Sequence, residues 1–302
     1  MKILDSCPRF RKLPVFAFAM GLACVLGTVW RIQAQENETA DQSSEAEQSQ
    51  QASLLERSRK KLLNQPYRAK IHETITVGGR QVDAEGFFVQ GPNLKMRMQI
   101  EFEAAGMKAR LLQVCDGDIV NTEQQLDDEI RLTRRDVQQI LNAATRSGAI
   151  GQNRIIVELG VGGVAGLLAS LERNMVFTEP TEEVIDGERF QVLEGSWNEQ
   201  YQAKFKANPL TAKQLPQHLP QKVRIYLDST LFPRRIRYLK ESGEDKILLP
   251  LVTLDFNDIA WLSADDLAQQ AELFRYEAPE GIFPKEVTNQ YIEMLRNGPS
   301  GQ

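Results

Sequence analysis

The stretch "LKMRMQIEF" (residues 94–102) sets the reading of the whole chain. Leu94, Met96, Met98, Ile100 and Phe102 fall on one side of an extended backbone, and Lys95, Arg97, Gln99 and Glu101 on the other. Side chains alternate across a strand with period two, so the pattern describes a sheet with one apolar and one wet face. Half-wetted sheets are typically antiparallel, because parallel sheets are covered on both faces.

The same alternation extends in both directions. In "YRAKIHETITV" (67–77), Tyr67, Ala69, Ile71, Ile75 and Val77 alternate with Arg68, Lys70, His72, Thr74 and Thr76. "VGGR" turns the chain into "QVDAEGFFVQ", a hairpin partner. "MKARLLQVCDGDIV" adds two strands around the Asp116-Gly117 turn. A short helix precedes them in "SLLERSRKKLLNQ", with Leu54, Leu55, Leu62 and Leu63 on one side. In the middle the period changes: Thr133 to Asp136 forms a capping box for a helix through about Arg146. Strands return in "MVFTEP", "EEVIDGERFQVLEGSW", "QKVRIYLD", "RRIRYLKES" and "KILLPLVTLDFNDI". About nine or ten strands interrupted once by helices fit one large sheet closing over a helical insert. The expected class is mainly β with helices (α+β).

One segment competes with that reading. "RIIVELGVGGVAGLLASLER" (154–173) runs from a β-branched stretch through Gly160, Gly162, Gly163 and Gly166 into a helical pattern. Strand, glycine turn and helix is the order that cradles a pyrophosphate in dinucleotide enzymes. Such a turn needs a parallel βαβ unit, whereas antiparallel hairpins flank this one on both sides. The glycines fit a hinge leading into a helix instead, with Leu167, Leu168 and Leu171 on its sheet-facing side.

Composition narrows the function classes. The chain has 302 residues, 42% apolar and 25% charged, with a net charge of −5. Residues 1–34 carry Lys2, Arg9, Arg11, Lys12 and Arg31 against Asp5, so the remainder is more acidic than the whole. An acidic body without a basic tract excludes a phosphate-backbone partner, and no nucleic acid is expected. Of three cysteines only Cys115 lies in the body, and the two histidines, His72 and His218, make no zinc cluster. No metal, cofactor or catalytic residue is expected. The acidic runs "LDDEI" and "EPTEE" have no matched base and read as solvated faces.

The N-terminus reads as an export signal. Arg9, Arg11 and Lys12 precede an uncharged apolar run over 13–30. Three outcomes stay open: cleavage after Ala34, retention of 13–30 as an inner-membrane anchor, or lipidation at Cys24. All three place the body in the periplasm or cell envelope. Residues 35–52 lack large apolar side chains that could nucleate a core and read as an acidic, Gln/Ser-rich disordered linker. Residues 53–302 read as a single domain.

The series of elements resembles the periplasmic outer-membrane lipoprotein carrier and lipoprotein-sorting family, with its LolA/LolB-like fold. "HETITVGGRQVDAEGFFVQGPNLKMRMQIEF" resembles the family's opening hairpin, and "LLQVCDGDIV" its strand-Asp-Gly-strand step. "YLDSTLFPRRIRYL" resembles its late hairpin, and "VTLDFNDIAWL" with "ELFRYEAPEGI" its closing segment. The resemblance spans about residues 53 to 284 and implies a strongly curved, unclosed antiparallel β-barrel with a helical plug. It further implies a non-catalytic cavity for lipoprotein acyl chains or another lipidated ligand. Ile71, Ile75, Met96, Met98, Ile100, Phe102, Leu167, Leu168 and Leu171 are its expected lining. An inner-membrane lipoprotein-release transporter or an outer-membrane acceptor is the implied partner. The same fold also serves membrane-tethered envelope sensors and interaction modules, the alternative function. The family's arginine before the first-hairpin proline is replaced by Gly91, and its aromatic after the Asp-Gly step by Asp118-Ile119-Val120. The chain reads as a divergent member.

Overall fold

The computed structural model describes residues 53–77, 79–104, 106–146, 162–207, 220–242 and 247–296. Among them, thirteen strands belong to one sheet. Helix α1 (Leu54–Asn64) opens the fold, capped by the Ser53 side chain, which accepts from the Glu56 N–H at 3.1 Å. Five hairpin steps follow, through β1 (Tyr67–Val77), β2 (Arg80–Gln90), β3 (Met96–Ala104), β4 (Met107–Cys115), β5 (Ile119–Leu126) and β6 (Glu129–Asp136). Helices α2 (Val137–Arg146) and α3 (Gly163–Asn174) interrupt the strands. The chain returns as β7 (Met175–Phe177), β8 (Thr181–Ile185) and β9 (Glu188–Trp197), then helix α4 (Glu199–Ala207). Strands β10 (Lys222–Leu227), β11 (Pro233–Ser242) and β12 (Ile247–Trp261) complete the second half. Helix α5 (Ala264–Gln269), a 3₁₀ turn (Ala271–Phe274), β13 (Lys285–Glu286) and helix α6 (Thr288–Arg296) close the described chain.

Strand β12 pairs with β1, which joins the two halves in the order β13-β6-β5-β4-β3-β2-β1-β12-β11-β10-β9-β7, with β8 also on β9. All described pairings are antiparallel except that of β13 with β6. The sheet is strongly curved and does not close into a barrel. Gly86 marks one tight approach: a Cβ there would lie 2.0 Å from the Gln99 carbonyl oxygen, so only glycine fits between β2 and β3.

Two local expectations are corrected. The strand read from Leu94 begins at Met96, because Asn93 and Leu94 take left-handed backbone angles (φ 54° and 65°) in a turn after Pro92. That turn is closed by Gly91 N–H donating to the Lys95 carbonyl at 2.7 Å. Thr133 does not cap a helix; it pairs with Thr122 inside β6. The cap falls to Asp136, whose carboxylate accepts from the Gln139 N–H at 2.8 Å. Ladder hydrogen bonds to β5 outweigh the local helix signal there.

Candidate functional site: the inner face of the sheet and its helical cover

The register fixes which side chains share the covered face. Tyr67, Ala69, Ile71 and Ile75 of β1 stand beside Phe88 of β2 and Met96 of β3 on one flank, and Val252, Leu254 and Phe256 of β12 on the other. Together with Ile236 and Tyr238 of β11 they form one apolar wall in the core cluster, against which Leu55 and Leu62 of α1 pack. Helix α3 adds Val164, Ala165, Leu168 and Leu171 to the same cluster. Its opposite side reaches a second cluster through Ala169, with Ile140 and Ala144 of α2 and Tyr291, Met294 and Leu295 of α6.

Of the expected lining, Ile71, Ile75, Met96, Leu168 and Leu171 are buried in this cluster, and Met98, Ile100 and Leu167 pack against it half-buried. Phe102 stands apart, half-buried beside a shallow pocket of about 370 Å³ with Lys108, Ala109 and Arg110. Gly162, Gly163 and Gly166 are buried at the start of α3, while Gly160 lies outside the described residues. So do His218, Ala34 and the apolar run 13–30. No helix among the described residues is long and apolar enough to cross a membrane.

The start of α3 lies unusually close to the sheet. Gly162 and Gly163 take φ of 83° and 66°, which side chains disfavour. A Cβ on Gly162 would sit 2.7 Å from both Arg135 Nη2 and Gln113 Oε1, and one on Gly163 would sit 2.9 Å from the Phe88 ring. A polar latch holds the contact. The Gly163 N–H donates to Gln113 Oε1 at 3.2 Å, and Gln113 Nε2 donates to Thr122 Oγ1 at 3.1 Å. Arg135 Nη1 approaches the same hydroxyl at 3.5 Å, and its guanidinium lies 5.4 Å from the Tyr291 ring centre. On the other flank Arg59, buried on α1, pairs with Glu172 of α3 at 2.6 Å.

The sequence reading passed over Glu73. It shares the parity of Ile71 and Ile75, is 3% exposed, and its Oε1 has no hydrogen-bond partner. Burial pushes its carboxyl up to about 8. Burial, then Glu73 and Tyr201 as acidic neighbours, raises the Tyr238 hydroxyl well above its ordinary value. Cys115 is also fully buried, and burial chiefly pushes its thiol up to about 11, the setting of an inert thiol. Among the described residues no cluster of three or more His, Cys, Asp or Glu side chains could hold a metal.

The outer face of β3–β6 is crossed by the C-terminal segment. Arg97 Nη1 donates to the Leu273 carbonyl at 3.3 Å, and the Tyr276 hydroxyl donates to Glu123 Oε2 at 2.7 Å. Phe274 is buried against Gly91, where a Cβ would come within 2.8 Å of its ring. The position that carries arginine in the resembled family is here the seat of an aromatic ring from the chain's own tail.

No protein-family model matches the chain, and no curated protein matches it by sequence. Among solved structures, the matches include an outer membrane lipoprotein-sorting protein domain from Vibrio parahaemolyticus. It is 12% identical, with 73% of this chain and 97% of that one covered and a TM-score of 0.30. A LolA superfamily protein from Nitrosomonas europaea matches at 12% identity over 71% of this chain and 94% of that one, with a TM-score of 0.26. The MucA/MucB complex structure from Pseudomonas aeruginosa matches at 12% identity, covering 71% and 59%, with a TM-score of 0.33. Two of these bear names of the family that the sequence resembles. The residues of this chain, rather than likenesses of that depth, carry the functional reading.

Proposed function

We propose that the chain is an exported, non-catalytic binding or carrier protein. It takes the acyl chains of a lipoprotein, or of another lipidated molecule, between the inner face of the sheet and helices α1 and α3. One observation carries this reading: an apolar wall is covered by a helix whose start is rich in glycine and alanine. Gly162, Gly163, Ala165, Gly166 and Ala169 place little side-chain bulk between α3 and its neighbours. If the helix withdraws about the glycines, which serve as its hinge, an acyl chain takes the place of Val164, Leu168 and Leu171 against the wall. Met96 and Met98 suit a wall that must refit to an irregular ligand, because thioether chains repack at low cost.

Export follows from the basic and apolar layout of residues 1–34, with cleavage at Ala34 releasing a soluble carrier. Residues 35–52 then act as a linker ahead of the domain over 53–302. Exchange with an inner-membrane lipoprotein-release transporter or an outer-membrane acceptor completes the proposed cycle.

The test is mass spectrometry of the protein purified from the envelope without detergent. Co-purifying acyl species are expected. Protein that is lipid-free and binds no alkyl probe, neutral or charged, contradicts the reading. The edge of the sheet favours a second reading, a membrane-tethered interaction module, since Val176 and Val184 stand 63% and 68% exposed there. An uncleaved N-terminus and a cross-linked protein partner without lipid would decide for it.

A further inference from the structure

Strand β1 lays Glu73 in the middle of the apolar wall, between Ile71 and Ile75. Its cross-strand neighbours are Ala84 on β2 and Leu254 on β12, both buried. Among the described residues no lysine or arginine pairs with it, and its Oε1 accepts nothing. A position that served packing alone would hold valine or isoleucine, because a buried carboxyl oxygen without a donor opposes folding. Every other inward position of β1 from Ala69 to Ile75 is aliphatic.

The carboxyl has polar company on one side. Tyr238 belongs to β11, one strand beyond β12, and its partner Val252 is also the partner of Ile75. Tyr201 opens α4 and stacks on Trp197 with ring centres 4.2 Å apart. The wall therefore carries one acid among apolar neighbours, with the Tyr67 and Tyr238 hydroxyls on the same face.

We infer that Glu73 is the head-group subsite of the acyl-binding space, its ionised form selecting amphiphiles whose polar end donates hydrogen bonds over those that end in a carboxylate. This rests on the carrier reading and names the class of ligand for the same site. An alcohol or an amine supplies the donor that Oε1 lacks. Facing ionised Glu73, a carboxylate brings only acceptors to an acceptor and adds like charge. The shared chemistry is the donor, and it has two sources. A neutral hydroxyl binds without moving charge. An alkylamine, already an ammonium in water, pairs with the Glu73 carboxylate, whose proton goes to solvent. Burial holds the empty carboxyl at about 8, so the discriminating carboxylate prevails above that pH, while the protonated acid below it can itself donate to a carboxylate.

The experiment displaces a neutral fluorescent probe, N-phenyl-1-naphthylamine, from the full chain with dodecanol, dodecylamine or dodecanoate at a pH above about 8, where Glu73 is ionised. The alcohol and the amine are expected to displace it at about tenfold lower concentration than the acid, the ratio that one hydrogen bond to a charged group supplies. In Glu73→Leu the three should converge while the probe still binds, and in Glu73→Gln the alcohol should keep its advantage through the amide oxygen. Leucine matches the surrounding wall, so loss of folding does not mask the result. Equal displacement by all three in the wild type, or a preference that survives Glu73→Leu, overturns the subsite and leaves the carrier reading standing. Failure of every variant to bind any alkyl probe overturns both.

Discussion

The backbone N–H of Gly163 donates to the side-chain oxygen of Gln113 across 3.2 Å, which ties the first turn of α3 to the middle of the sheet. The bond spans fifty positions of sequence and sits where the helix comes nearest to the wall. Replacing Gln113 with leucine leaves a buried donor unsatisfied, at a cost of about 1–3 kcal/mol. Amide hydrogen exchange in the first turn of α3 should accelerate, and uptake of an alkyl probe with it. Unchanged exchange at Gly163 and Val164 would show that the bond holds nothing in place.

Gly163→Ala tests the close approach itself. Alanine at a φ of 66° costs about 1–2 kcal/mol from the left-handed backbone alone. Its Cβ would also press on the Phe88 ring. A thermal midpoint lowered by roughly 2–8 °C is expected for a domain of this size. A midpoint equal to the wild type would mean that α3 already sits farther from the sheet.

Stability should depend on pH through Glu73. The folded protein holds this proton more tightly than the unfolded chain, with the carboxyl raised from 4.5 to about 8. The protonated acid therefore favours the fold fully below about 4.5, and that contribution is lost as pH rises through about 8. The full change is about 3–5 kcal/mol. Urea midpoints measured across this window should fall for the wild type and lie flatter for Glu73→Leu. Parallel profiles for the two proteins would place the titration elsewhere.

On the outer face, Tyr276→Phe removes the donor to Glu123, which is 5% exposed with Arg110 at 3.8 Å. Loss of a hydrogen bond to a charged group weakens the attachment by about 1.5–3 kcal/mol. Limited proteolysis should then cut the segment after Phe274 sooner, with the sheet intact. Cleavage at the wild-type rate would assign the attachment to Phe274 and Arg97 alone.

Much of the sheet was legible because alternation is a local property. Tyr67 to Thr76, Met96 to Phe102 and the turn at Asp116-Gly117 all sit where the period-two pattern puts them. Strand β6 was hidden because Thr133 and Asp136 also spell a helix start, and its pairing with β5 is what decides between the two. The glycines before α3 were visible, but their reason was not: the side chains they make room for, Phe88, Gln113 and Arg135, come from three different strands. Glu73 was missed for a plainer reason. A glutamate in a wet-and-dry strand is assumed to point outward, and only its parity with Ile71 and Ile75 says otherwise.

The central claim is that an acyl chain lies between α3 and the inner face of the sheet, and a photoactivatable acyl probe tests it most directly. After irradiation of the loaded protein, cross-links should fall on the peptides holding Ile71 to Ile75, Met96 to Phe102 and Leu167 to Leu171. Cross-links confined to the exposed side chains Val176, Val184 and Phe283, with none on the inner face, would contradict it.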